Sequence, residues 1–103
     1  MLSSDFRQAF NHYLASDNVD SLFNLFVITL DYSIDILHIT PKISITDVFR
    51  GDYCDLDRQD LMLAYRELNE FKSVDNFLFV LIMFMRNYGW TFKDLIERVK
   101  QLQ

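Results

Sequence analysis

The sequence predicts an all-α fold, a compact bundle of about five helices around a central apolar helix. Three observations lead there. Residues 77 to 85 read FLFVLIMFM, nine apolar residues without a polar interruption, set between Asp75-Asn76 and Arg86-Asn87. The 103 residues include only two glycines and one proline, too few for the reversals of an all-β chain. Half of the residues are hydrophobic and ten are Phe, a composition that disorder does not tolerate. A helix that is apolar all round has no side to show water, so it belongs in a core or a membrane. Nine residues rise only about 14 Å as a helix, against roughly 30 Å of bilayer hydrocarbon. Residues 77 to 85 therefore read as a core helix, and the rest of one domain, residues 1–103, is expected to wrap it.

The other elements follow in order. Ser3-Ser4-Asp5 can cap a first helix over about 4 to 15, with Phe6, Phe10, Tyr13 and Leu14 at helical spacing. Ser16-Asp17-Asn18 then competes for backbone hydrogen bonds and stops it. Residues 19 to 39 admit two readings. As a helix, Leu22, Phe23, Phe26, Val27, Leu30, Ile34 and Leu37 form its apolar face, with Asn24, Asp31, Asp35 and His38 opposite. As a strand, Phe26 to Leu37 alternates with period two, giving an α+β fold with a hairpin over residues 26–46 across Pro41. No Gly or Pro interrupts Asp17 to Thr40, and a strand of that length would be exceptional, so length favours a helix over about 19 to 38.

Pro41 ends whatever precedes it. Ser44 to Thr46 can cap a short turn over Asp47 to Arg50, which Gly51 closes. Asp57 reads as the N-cap of a third helix, 58 to 71, with Asp60 in its first turn and Leu61, Ala64, Tyr65, Leu68 and Phe71 on one stripe. Ser73 introduces the central helix, about 74 to 88, and Gly89 stands where a left-handed C-terminal cap is expected. Thr91 and Asp94 resemble a capping box for a last helix over 92 to 102, burying Phe92, Leu95, Ile96, Val99 and Leu102.

Charge is placed unevenly. Residues 1 to 60 carry ten acids and four bases, whereas residues 61 to 103 carry five acids and six bases. Phosphate recognition needs the opposite balance, so direct nucleic-acid binding is not expected, and a basic protein surface is the better partner for the front half. The single cysteine, Cys54, excludes an internal disulfide and fits a reducing compartment. The opening residues lack the basic-then-apolar pattern of a signal peptide, so cytoplasmic location is the expectation, with no membrane partner.

No pattern here carries catalysis. The cluster Asp52, Asp55, Asp57 and Asp60 fails both registers of a calcium loop, which needs Gly at the sixth position and Glu at the twelfth. His12 and His38 have no metal-ligand spacing to each other or to Cys54. Cys54 stands beside Asp55, which disfavours a thiolate. No G-x-S-x-G elbow presents a serine, and two isolated glycines form no phosphate loop. Arg86, Trp90, Lys93, Arg98 and Lys100 make a basic and aromatic end, flanked by Asp94 and Glu97. Neither metal, cofactor nor catalytic residue is expected. The candidate partner-binding residues are Asp31 and Asp35 on the second helix, with Asp52, Tyr53, Asp55 and Asp57 on the following loop. Tyr is enriched in interface cores, and carboxylates facing Lys or Arg supply register and fast association.

The tail VDNFLFVLIMFMRNYGWTFKDLIERVKQ resembles the closing helices of the all-α nucleotide pyrophosphatases of the MazG and dimeric dUTPase group, where an apolar helix ends near a Gly before a final amphipathic helix. That resemblance covers about a quarter of the chain and implies a magnesium site of paired E-x-x-E and E-x-x-D carboxylates. Only Glu67 and Glu70 match, with no second pair opposite. Two functions are thus expected to compete. One is a small acidic inhibitor or interaction module of the immunity-protein, antitoxin or phage-inhibitor kind, which masks a basic partner that handles nucleic acid or nucleotides. The other is a divergent pyrophosphatase with Glu67 and Glu70 as magnesium ligands. A homo-oligomer built on surplus Phe residues is compatible with either.

Overall fold

The computed structural model describes residues 4–36, 38, 39, 42, 56–71 and 73–102. Among them the chain is an all-α bundle of five α-helices: α1 (Ser4–Ser16), α2 (Val19–Asp31), α3 (Arg58–Phe71), α4 (Val74–Asn87) and α5 (Phe92–Leu102). Its Cα radius of gyration is 12.6 Å, close to the roughly 13 Å of a folded chain of about 100 residues. The described residues contain no strand, and residues 26–36 are helical throughout, so the alternating hairpin reading fails. The expected turn over Asp47 to Arg50 lies outside the described residues.

Helix α4 is the core. Of residues 77 to 85, every one but Phe79 is buried, as an apolar run without a wet side requires. It is one arm of a helical hairpin and packs against a second hairpin. A two-residue link folds α2 back along α1, and Phe6 at the start of α1 meets Tyr32 at the end of α2, ring centroids 5.3 Å apart. Another two-residue link folds α4 back along α3, where Tyr65 meets Phe77 and the Asn76 side chain donates to Glu67 at 2.7 Å. Phe6 packs on Phe77 and Tyr13 on Phe84, so α1 and α4 run in the same direction. Phe6 also stacks on Tyr65 at 5.9 Å, and Phe10 stacks on the same ring at 4.1 Å. These ring pairs join both hairpins around α4.

The helix ends follow the side chains that cap them. The Asp60 amide donates to the Asp57 carboxylate at 3.0 Å, while the Asp57 amide donates to Asp60 at 2.9 Å, a reciprocal capping box opening α3. Thr91 and Asp94 do the same for α5, at 3.0 and 3.3 Å. At the end of α4, Gly89 has φ +90 and donates to Arg86 O, while the Trp90 amide donates to Met85 O, the two bonds of a Schellman cap. A side chain at Gly89 would have to adopt a conformation that L-residues avoid.

Helix α2 departs from expectation in two ways. It turns into a π-helical segment, Tyr32–Ile36, that ends with His38 at φ 56 and the Ile39 amide donating to Ser33 O at 2.8 Å. Its inner stripe is also rotated: Leu22, Leu25, Phe26, Thr29, Tyr32 and Ser33 are buried, while Ile34 is 52% exposed. The Thr29 hydroxyl donates to Leu25 O at 2.7 Å and the Ser33 hydroxyl to Leu30 O at 2.8 Å. Hydroxyls satisfied by their own helix can be buried with little penalty. Asn24, Asp31, Asp35 and His38 are exposed, as the helical reading requires.

Two substitutions on α4 test this placement. Leu81→Asp puts an unpaired carboxylate at a fully buried position and is expected to cost about 3 to 5 kcal/mol, or to abolish cooperative folding. Phe79→Asp, two residues away at a position 41% exposed, is expected to cost about 1 kcal/mol or less. Urea unfolding followed by circular dichroism measures both, and equal losses would contradict the placement of α4.

Candidate functional site

The α1–α2 hairpin carries an open groove of about 550 Å³. Asp5, Gln8, Ala9 and His12 line it from α1; Asn24, Ile28, Asp31, Tyr32 and Asp35 line it from α2 and its π-helical extension. Helical periodicity explains the α1 side, because positions 5, 8, 9 and 12 recur on one face. Because the helices are antiparallel, Asp5 at the start of α1 lies at the same end as Asp31 and Asp35. Two of the expected binding residues are therefore brought together, with Asp5 as a third carboxylate.

The floor between these acids is less polar. Ala9 and Tyr32 are buried and Ile28 is half-buried. Burial pushes the Tyr32 phenol above its ordinary value of 10.0. Among the described residues no Lys or Arg lines the groove. The ion pairs among the described residues, Arg58–Asp17 and Lys93–Glu97, lie elsewhere.

The remaining expected binding residues stand differently. Asp57 is described, but its carboxylate caps α3 and does not line the groove. Asp52, Tyr53 and Asp55 lie outside the described residues. Glu67 accepts from Asn76, and Glu70 is exposed on α3. Among the described residues no group of three or more His, Cys, Asp or Glu is placed to hold a metal ion. None of their helices is long and apolar enough to cross a membrane.

The basic and aromatic end is already occupied from within. Trp90 stacks on Phe23 at 5.4 Å and 11°, and the Arg98 guanidinium lies 5.2 Å from the Trp90 ring centroid and 5.3 Å from that of Phe23. This cation–π arrangement fastens α5 to α2 and uses the aromatic surface on which a nucleobase would stack.

A second polar cluster lies outside any motif. Asp17 ends α1 at φ 51, its amide donating to Tyr13 O at 2.8 Å. The Tyr88 hydroxyl donates to the Asp17 carboxylate, and the Tyr13 and Tyr88 hydroxyls lie 3.2 Å apart. Arg58 pairs with Asp17 at 3.3 Å and donates to Leu14 O at 2.9 Å and Tyr13 O at 3.3 Å. The cluster ties the end of α1 to the start of α3 and the end of α4. The Tyr88 hydrogen bond, followed by the charge of Arg58, holds Asp17 below the usual carboxylate range despite some opposing desolvation. Desolvation, with the bonds to Asp17 and Tyr13, pushes Tyr88 far up; Tyr13 is also raised, chiefly by burial.

No protein-family model matches this chain, and no curated protein or solved structure is similar enough to count as a relative.

The polar cluster makes a pH prediction. Because the folded value of Asp17 is depressed, its contribution is present above the ordinary 3.8 and is lost as pH falls through the folded value. Tyr13 and Tyr88 are raised, so their contribution is present below 10.0 and is lost as pH rises through their folded values. Melting temperatures measured from about pH 5 to about pH 2 should fall less steeply in Tyr88→Phe than in wild type. Asp94, held down mainly by its bond to Thr91, keeps some acid sensitivity in both. Identical slopes would remove the Tyr88–Asp17 bond from the account.

Proposed function

We propose that this chain is a small acidic interaction protein that works in the cytoplasm by covering a basic surface on a partner protein, as inhibitors of the immunity-protein, antitoxin and phage-inhibitor kind do. The observation that carries this reading is the groove of the α1–α2 hairpin. It gathers Asp5, Asp31 and Asp35 over a less polar floor, and among the described residues no Lys or Arg lines it, His12 being the one basic side chain there. Carboxylates with no Lys or Arg of the described residues beside them make the local potential negative and favour approach of a cationic surface. The charge of the first sixty residues, ten acids against four bases, extends that field beyond the groove. A less polar floor between charges supplies area that excludes water, which is where affinity resides once encounter has occurred. Asp52, Tyr53, Asp55 and Asp57 are proposed to extend the contact along the chain. A catalytic role has no comparable support, since Glu67 is held by Asn76 and Glu70 points into solvent on the same helix.

The reading is tested by paired capture and kinetics. Wild type and an Asp5→Asn, Asp31→Asn, Asp35→Asn variant serve as separate baits in an extract of the native host. A basic protein held by the first and lost by the second is the expected outcome. Its association rate with wild type should fall by an order of magnitude or more as salt rises from about 50 to about 500 mM, because charges are screened beyond about 10 Å at 0.1 M. A control variant, Glu70→Gln with Glu97→Gln, should associate like wild type. If the triple variant binds the same protein at the same rate at every salt concentration, the acidic front serves solubility alone.

A further inference from the structure

We propose that the α1–α2 groove is an arginine slot, receiving one guanidinium-bearing side chain of the basic partner lengthwise between the helices; this rests on the reading of the chain as a binder of a basic protein. Shape is the first argument. Ala9 is the small residue on a stretch of α1 that otherwise buries Phe6, Phe10 and Tyr13, and its lack of a long side chain lowers the floor opposite Ile28. The groove that results, about 550 Å³, holds one long side chain together with water.

The second argument is the order of groups along it. His12 and Asn24 stand towards the junction of α1 and α2, Ala9 and Ile28 lie between, and Asp5, Asp31 and Asp35 close the far end. A side chain entering past His12 would lay its methylene stem on Ala9 and Ile28 and carry its charged head to the three carboxylates. Long cationic side chains bury their stems in this way while the head stays with polar groups.

The third argument selects arginine over lysine. The carboxylates come from two sides, Asp5 from α1 and Asp31 and Asp35, four residues apart, from α2 and its π-helical extension. Carboxylates spread over two helices suit a planar, weakly hydrated fork of five donors, which can reach more than one of them. A lysine ammonium is a compact point charge that gives up its water reluctantly. Among the described residues no Lys or Arg lines the groove, and His12 stands at the end away from the three carboxylates, which leaves their place for a partner's cation.

The test separates shape from charge, so that the slot and the acidic-front reading can fail independently. Blocked tripeptides Gly-Arg-Gly and Gly-Lys-Gly are titrated into the full chain, with amide shifts followed by NMR. The arginine peptide should perturb residues 5–12 and 24–35, and the lysine peptide should bind about tenfold more weakly. Ala9→Met raises the floor without changing charge and should weaken the arginine peptide about tenfold. His12→Arg, at an exposed position that folding tolerates, supplies an internal guanidinium and should do the same even if Ala9→Met proves unstable. Glu70→Gln should bind like wild type. Equal binding of the two peptides, or unchanged arginine binding in His12→Arg, overturns the slot. If that happens while the triple aspartate variant still loses its partner, the acidic-front reading stands without it. If the peptide binds as described but the triple variant keeps its partner, the slot stands and that reading falls.

Discussion

The structure depends on one constraint: the middle of α4 is apolar all round and must be covered nearly all round, Phe79 alone of residues 77–85 being left at the surface. Eight of its nine central residues are buried, and no single neighbouring helix can cover a full cylinder. Coverage comes from aromatic side chains on several elements at once. Phe6 is the joint between them, touching Tyr32 after α2, Tyr65 on α3 and Phe77 on α4. Such ring pairs contribute about 0.5 to 1.5 kcal/mol each beyond the area they bury, so their placement fixes orientation as well as stability.

Enclosing an apolar helix determines where the polar groups go. The inner side of α2 is used for the core, and its two deepest polar side chains, Thr29 and Ser33, are turned onto their own helix. Asn24, Asp31 and Asp35 are left on the outer side, against the outer side of α1, and the shallow crossing at Ala9 becomes a groove between them. The candidate site is thus a by-product of how α1 and α2 reach α4. At the other end of the bundle, Arg58 satisfies the last carbonyls of α1, and with Asp17, Tyr13 and Tyr88 it holds three helices together. That cluster ties the fold together, and the groove lies apart from it.

The legibility of the sequence varied with the range of the interaction. Local signals were clear: Asp57 with Asp60, Thr91 with Asp94, and Gly89 marked helix ends within a few residues, because a cap uses the chain's own neighbours. The unbroken run 77–85 announced a core helix for the same reason. The inner side of α2 was harder, since Phe23, Val27, Ile28 and Leu30 make it apolar on more than one side. Period alone could not rank a threonine or serine above an isoleucine for burial; Ile34 is on the outside and Ser33 on the inside. Pairings across the chain left no periodic trace at all. Tyr88 and Asp17 are 71 residues apart, and Asp5 joins Asp31 and Asp35 only after α1 and α2 fold back on each other. Asp31 and Asp35 were readable as exposed acids, but the groove that gives them meaning was not.

Native-state hydrogen exchange tests the organising role of α4 most directly. If the buried stretch Val80 to Met85 is the centre of the core, its amides from Leu81 to Met85 open only when the whole molecule unfolds. Their exchange free energies should then equal the unfolding free energy from urea denaturation and exceed those of α1, α2 and α5. Amides of α4 that exchange through a lower-energy local opening, while those of α1 or α3 remain protected, would contradict the account.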